Sequence, residues 1–177
     1  MEVFEVIRTA LAVRQFRDQP IPEPVVTEIV EAGHLTASAS NKQPWHFIVV
    51  QDTATLQQIA ALARTGPYIS QAPLAIVVGI EKGSPLAVSD ASRAIQDMIL
   101  TAWSHGVGSN WVGFRGLQEV NPLLGIPDEI EVLAILPCGY PVHKIGGRVR
   151  QEPFLFPRPV SRRLYAIFFV AMLQPLH

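Results

Sequence analysis

One long amphipathic segment, residues 90–105, constrains the fold of this chain more than any other part of its sequence. Its apolar side chains recur at helical spacing and cover nearly half of a helix circumference; they are Ala91, Ala94, Ile95, Met98, Ile99, Ala102 and Trp103. Asp90 begins the segment and Gly106 follows it. Because so wide an apolar face must be covered on several sides, the sequence predicts a central helix.

Shorter patterns on either side predict further elements. Helices are predicted over residues 2–12, from Pro22 or Pro24 to Gly33, from Asp52 or Thr53 to about Arg64, and over residues 117–124. Strands are predicted over residues 45–51, 74–80 and 130–136, with a short strand-like segment at 109–113. Mixed helices and strands are typical of a doubly wound sheet, but the initial helix pair and the closely spaced last strands fit that arrangement poorly. The pattern alone leaves the topology open.

The composition is apolar for a chain of 177 residues. Hydrophobic residues make up 49% of the chain, charged residues make up 16%, and the mean hydropathy is +0.25. A single domain of this size buries only about 70% of its surface by itself, so an apolar excess favours burial against a second copy. We therefore expect a homodimer.

Charge and hydropathy exclude nucleic acid and membranes as partners. A formal net charge of −1 and a pI of about 6.5 provide no basic field that would attract nucleic acid. The longest apolar stretch, residues 164–173, is far shorter than the roughly 20 residues of a membrane span. The N-terminus lacks the basic start of a signal peptide. We expect a soluble protein in the cytoplasm.

Motifs for several common chemistries are absent from the sequence. It contains neither a phosphate-binding GxxxxGK[ST] loop nor an HExxH motif, and Trp111 occupies the position of the third glycine in a dinucleotide fingerprint. Because Cys138 is the single cysteine, no internal disulfide or cysteine-based zinc site can form, and we expect its side chain to be buried. The five histidines have no metal-like spacing. No metal site is predicted.

Two segments near the N-terminus carry groups suited to a planar, oxygen-bearing ligand. Arg14 emerges at a predicted helix end beside Phe16, where its guanidinium can form paired hydrogen bonds. Residues 36–43 concentrate hydroxyl and amide side chains before Pro44. Those side chains either close the turn themselves or bind a polyol or the edge of a heterocycle.

A series of short motifs connects these segments with the rest of the chain. They are VRQF at 13–16, PIP at 20–22, SASNKQPW at 38–45, DASRAIQDMILTA at 90–102, GVGSNWVG at 106–113, LGIP at 124–127 and GYP at 139–141. In this order and spacing, the chain resembles the nitroreductase family over roughly residues 1–141. The SxxNxQPW stretch, the later helix and the GxGSxWxG segment together make the resemblance specific.

The resemblance implies an α+β fold, with a central, mainly antiparallel sheet flanked by helices, in an intertwined homodimer. It implies two FMN molecules at the dimer interface, each contacted by both subunits. It also implies an FMN-binding domain over residues 1–145, followed by a divergent C-terminal arm over residues 146–177. That apolar, proline-rich tail is either a variant arm or the product of a frameshift.

The resemblance also assigns cofactor-binding residues. Arg14 is implied to contact the pyrimidine side of the flavin, with Ser38, Ala39 and Asn41 approaching from the partner subunit. Val112 and Gly113 are implied to supply backbone groups near N5 and the ring edge. Asp90 is implied to lie near the site.

The chain departs from the family where the phosphate and ribityl chain usually bind. Ala10 and Ala12 stand in place of the arginine and the serine that the family uses there. We predict that Arg148 and Arg150 carry most of the phosphate contact, because their spacing puts both on one side of an extended chain. Arg8 is the alternative.

The activity that the resemblance implies is a ping-pong cycle. Hydride passes from NADH or NADPH to flavin N5 and then to a small electrophile such as a nitroaromatic or a quinone. Because this cycle needs no acid or base from the protein, no catalytic residue is assigned. The alternative is a degenerate member of the same fold that binds flavin weakly without catalysis.

Overall fold

The computed structural model describes residues 2–113 and 117–143, which form a sheet between helical layers. The four strands are β1 (Trp45–Val50), β2 (Leu74–Glu81), β3 (Gly108–Ser109) and β4 (Ile130–Gly139), in the spatial order β1-β2-β4-β3. All three pairings between neighbouring strands are antiparallel. A doubly wound sheet has parallel strands, so the structure excludes that arrangement and confirms the α+β class.

Five α-helices surround the sheet in the described residues. They are α1 (Val3–Thr9), α2 (Glu23–His34), α3 (Thr53–Leu62), α4 (Ala87–Ser104) and α5 (Val120–Leu124). Asp52 precedes α3 and accepts hydrogen bonds from Thr55, whose N–H lies 2.8 Å from its carboxylate. The hydroxyl of Thr55, and then its N–H, hold the pKa of Asp52 below its usual value. Of the two predicted starting residues, Asp52 and Thr53, Asp52 is thus the helix cap.

Strand β2 separates two hydrophobic cores because its side chains alternate between the faces of the sheet. Leu74, Ile76, Val78 and Ile80 pack with α2 and α4 on one face. Ala75 and Val77 pack with α3 and α5 on the other. Both faces are therefore covered, which explains why this strand reads as a continuous apolar run.

Helix α4 is the central helix that the sequence predicted. It begins at Ala87 rather than at Asp90, and its apolar side is buried at Ala91, Ala94, Ile95, Met98, Ala102 and Trp103. It contacts α2, β2, β1, β3 and α1. Cys138 is also buried, as expected, and burial raises the pKa of its thiol to about 12.

Two predicted helix ends were wrong. Gly33 does not stop α2 but lies inside it, where a Cβ atom would come within 3.0 Å of the side chains of Met98 and Phe47. Glycine therefore permits close packing between α2 and α4. Helix α1 ends at Thr9 rather than at residue 12, because Ala12 forms a β-bridge with Ser109 at the edge of the sheet.

Within residues 2–113 and 117–143, no helix combines the length and hydropathy needed to cross a membrane.

Candidate flavin site

Arg14 lies on a short extended segment, residues 12–17, that runs along one end of the sheet. The N–H of Val13 donates to the carbonyl of Ser109 at 2.9 Å, and the N–H of Arg17 donates to that of Tyr140 at 2.8 Å. The side chains of Val13 and Phe16 are buried, whereas Arg14 is exposed. The backbone hydrogen bonds and the two buried apolar side chains thus hold the segment and leave Arg14 exposed.

Gly108 permits this segment to approach β3 closely. A Cβ atom at Gly108 would lie 2.3 Å from Cγ2 of Val13 and 2.8 Å from its Cβ. Neither atom belongs to the far end of a flexible side chain. The contact between the segment and the sheet therefore requires a residue without a side chain at position 108.

We expect Gly108→Ala to destabilise the protein by about 1–3 kcal/mol, the usual cost of overpacking a filled site. Val13→Ala removes the nearest clashing atom but leaves the Cβ in place, so the double variant should recover part of the loss. Denaturant unfolding of the two single variants and the double variant measures this coupling. Strictly additive losses would contradict the steric explanation.

Tyr68 and Asn110 support Arg14, although neither was predicted as a site residue. The Arg14 guanidinium carbon lies 5.9 Å from the centroid of the Tyr68 ring, within the range of a cation–π interaction. The side-chain amide of Asn110, which is buried, donates to the Tyr68 hydroxyl. The ring under Arg14 is therefore itself fixed by a hydrogen bond. A clue was available only for Asn110, which lies inside the GVGSNWVG segment.

Val112 is joined to the sheet through both of its backbone groups. Its N–H donates to the carbonyl of Ile135 at 3.0 Å, and its carbonyl accepts from the N–H of Ile135 at 2.8 Å. A ligand at this edge would have to use the second lone pair of the Val112 carbonyl or the backbone of Gly113. A Cβ atom at Gly113 would lie 2.3 Å from Nε1 of Trp111, so the glycine keeps the backbone compact there.

Ser38, Ala39 and Asn41 lie in the loop between α2 and β1. A 3₁₀ turn spans Ala39–Asn41, and the N–H of Ala39 donates to the carboxylate of Asp90 at 3.0 Å. Asp90 lies in the first turn of α4. The structure thus places this loop at the N-terminal end of the central helix.

The Arg14 segment lies at the opposite end of α4. Trp103, near the end of that helix, packs with Val13 and Phe16, and its indole N–H donates to Thr9 at 3.0 Å. The rise along the helix from Asp90 to Trp103 is about 20 Å. Within one subunit, therefore, Arg14 and the Ser38–Asn41 loop lie near opposite ends of α4.

The predicted phosphate contacts Arg148 and Arg150 lie outside the described residues. The alternative cation, Arg8, is on α1 and forms an ion pair with Glu5. A separate cavity of about 840 Å³ lies along β1, between Trp45, Phe47 and Pro127. Among the described residues, none of the predicted site residues lines it, so these motif residues do not point to that cavity.

An antiparallel sheet between two helical layers defines an α+β protein, and its candidate ligand-binding residue Arg14 is exposed at the surface of the subunit. The model of the nitroreductase family matches residues 7–77 and 64–140 of this chain. The chain belongs to the nitroreductase family. This confirms the resemblance that its motifs indicated.

Named relatives of the chain agree with this assignment. It is 33% identical over 161 residues to a candidate NADH dehydrogenase/NAD(P)H nitroreductase of Methanothermobacter thermautotrophicus, covering 86% of this chain and 84% of that protein. A solved structure from Parabacteroides distasonis, of a protein described in the same terms, matches with a TM-score of 0.77 at 28% identity and covers 85% of this chain and 96% of that one. An FMN-dependent nitroreductase from Clostridium difficile matches with a TM-score of 0.75 at 25% identity, covering 80% and 88%.

Proposed function

We propose that this protein is an FMN-dependent oxidoreductase that takes electrons from NADH or NADPH and passes them to small electrophiles such as nitroaromatics or quinones. The relatives named above as NAD(P)H nitroreductases and as FMN-dependent support this assignment. The observation that carries it is Arg14, an exposed cation on a segment pinned to the sheet beside the GVGSNWVG segment. We place the protein in the cytoplasm, with FMN bound by residues 1–145 and an arm over 146–177.

The donors around Arg14 fit an isoalloxazine ring. The guanidinium presents paired N–H groups suited to the carbonyl oxygen and ring nitrogen on the pyrimidine side of the flavin. Its positive charge stabilises the anionic reduced flavin and so raises the flavin potential. Val112 and Gly113 offer backbone groups for the opposite ring edge, with the Val112 N–H already engaged by Ile135. Binding of the ring in this way uses the exposed guanidinium of Arg14 and requires no buried side-chain cation.

When bound, FMN would supply the chemistry of taking up a hydride from the nicotinamide and passing it on to the acceptor. The chain's own residues bind the ring, fix its orientation and set its charge environment. No side chain has to donate or accept a proton in this scheme, so no catalytic residue is proposed. Donor and acceptor would use the same open face in turn, which makes the kinetics ping-pong.

Absorbance and rapid kinetics test this proposal. The purified protein should be yellow, with flavin absorbance bands that bleach when NADH or NADPH is mixed with it in a stopped-flow instrument. Oxidised bands should return on addition of a quinone or a nitroaromatic. A colourless protein that takes up no FMN would instead support the degenerate, non-catalytic alternative, which the alanines at positions 10 and 12 favour.

The active form is proposed to be a homodimer with two shared sites. Arg14 and the Ser38–Asn41 loop lie near opposite ends of α4, and in the proposed dimer they reach one flavin from different copies of the chain. One apolar side of α1 is exposed, with Val3 and Phe4 each 72% exposed and Ile7 55% exposed, whereas Val6 on the other side is buried. Strand β1 is an edge strand of the described sheet, and its unpaired backbone groups can pair with another chain.

Sedimentation equilibrium of the FMN-loaded protein should therefore give the mass of two chains. Phe4→Glu, which puts a charge on the exposed side of α1, should shift the equilibrium toward monomer and release FMN in parallel. A monomer that keeps its FMN would contradict the shared site.

A further inference from the structure

Two carboxylates of α4 hold the loop that carries Ser38, Ala39 and Asn41. Asp90 accepts the N–H of Ala39 at 3.0 Å, and Asp97 accepts the hydroxyl of Thr36 at 2.6 Å. A spacing of seven residues corresponds to about two helical turns, so both carboxylates lie on one side of α4. The helix thus holds the loop at two points, one on either side of Ser38.

The loop adopts a backbone that residues with side chains rarely take. Ser40, Asn41 and Gln43 have φ values of 52°, 54° and 48°, in the left-handed region. Ser38 adds internal support, because its hydroxyl oxygen accepts the N–H of Gln43 at 2.9 Å. Such conformations persist only where surrounding contacts over-determine them, and they are typical of ligand-binding segments.

Asp90 is the most buried of these contacts. Its side chain is only 3% exposed, and Arg93 pairs with the carboxylate oxygen that Ala39 does not use. A buried carboxylate must be matched by a charge and by hydrogen bonds. Arg93 and the Ala39 N–H supply both, so the position of Ala39 is tied to the position of the carboxylate.

We propose that Asp90 is a positioning residue for the flavin site, which fixes the strained loop so that Ala39 and Asn41 face the cofactor of the partner subunit. This inference rests on the proposed function, in which the loop contacts FMN. Without the carboxylate, the Ala39 N–H is released and Ser40, Asn41 and Gln43 relax toward ordinary backbone conformations. The loop then has to be ordered again each time FMN binds, which weakens binding.

The test compares Asp90→Ala with the wild-type chain and with Asp52→Ala as a matched control. Asp52 also accepts a backbone N–H, that of Thr55 at 2.8 Å, but it caps α3 and its hydrogen bonds come from Thr55 rather than from the loop. Amide hydrogen exchange of Ala39 reports the loop in the full-length protein, with or without flavin. FMN titration reports the site itself.

We expect faster Ala39 exchange and FMN affinity that is weaker by about tenfold in Asp90→Ala, with neither change in Asp52→Ala. Asp90→Asn keeps an acceptor for Ala39 but loses the charge that pairs with Arg93, so it should fall between wild type and Asp90→Ala. If Asp90→Ala does not fold, Asp90→Asn still tests whether Asp90 positions the loop. Intermediate affinity in this conservative variant supports positioning.

Two outcomes would contradict the positioning role of Asp90, and a third would contradict the proposed function. Unchanged Ala39 exchange in the Asp90 variants overturns the positioning role directly. Faster exchange with wild-type FMN affinity also overturns it, since the contact then serves only the fold. If the wild-type chain itself binds no FMN, the proposed function fails, and the inference about FMN fails with it.

Discussion

Arg14→Ala is expected to weaken FMN binding by about tenfold to a hundredfold, because it removes charge-assisted hydrogen bonds to the ring. The flavin potential should also fall, since the cation that stabilises the anionic reduced form is lost. The effect on folding should be small, because the Arg14 side chain is exposed and its neighbours Val13 and Phe16 provide the anchoring. Flavin titration and a reductive titration against a dye of known potential measure the two quantities.

Arg17→Ala is the matched control for this prediction. Arg17 lies on the same segment, carries the same charge and is also exposed, but its Nε donates to the carbonyl of Pro141 at 2.9 Å. Its replacement removes one surface hydrogen bond and should leave affinity and potential unchanged. Equal losses in both variants would mean that net charge, rather than the position of Arg14, attracts the cofactor.

The secondary structure was largely predictable because its signals are local. The apolar spacing of α4 and the β-branched run of β2 each reflect which faces are buried. The two wrong helix ends came from contacts between distant segments. Gly33 reads as a stop signal, yet its role is to let α2 pack against Met98. The end of α1 depends on pairing with Ser109, which no local pattern encodes.

The sequence motifs select the candidate site residues, and the structure shows where the described ones lie. Motifs selected Arg14, Asn41 and Gly113 as candidates, and the resemblance implied that Asn41 acts from the partner subunit. The structure adds that the loop with Asn41 lies at the start of α4 and the Arg14 segment near its end. Tyr68 was missed because its relation to Arg14 is purely spatial. The left-handed backbone at Ser40 was missed for a different reason. The contacts of the loop with α4 impose the left-handed conformation, and a serine in the sequence does not indicate such contacts.

The double variant Arg148→Ala/Arg150→Ala is expected to show the largest effect on cofactor affinity. The FMN phosphate carries close to two negative charges, and a buried anion of this kind must be met by cations or backbone N–H groups. With Ala10 in place of the usual arginine, this pair is our proposed source of that charge. Loss of two charge-assisted contacts should weaken FMN binding by about a hundredfold or more.

Riboflavin separates recognition of the phosphate from recognition of the ring. It has the same isoalloxazine but no phosphate, so the double variant should bind it as well as wild type does. Arg162→Ala/Arg163→Ala makes the same change in net charge within the same tail and should leave FMN affinity unchanged. Isothermal titration of both flavins against the three proteins gives the comparison.

Arg8 is the cation that would take over if this prediction fails. It is already paired with Glu5, so binding a phosphate would require that ion pair to break or to be shared, at some cost in affinity. Wild-type FMN affinity in the Arg148/Arg150 variant, together with loss of FMN but not riboflavin binding in Arg8→Ala, would assign the phosphate to α1. Parallel loss of FMN and riboflavin binding in the tail variant would instead mean that the arginines support the fold or the dimer. Only a loss of FMN binding without a loss of riboflavin binding shows that Arg148 and Arg150 recognise the phosphate.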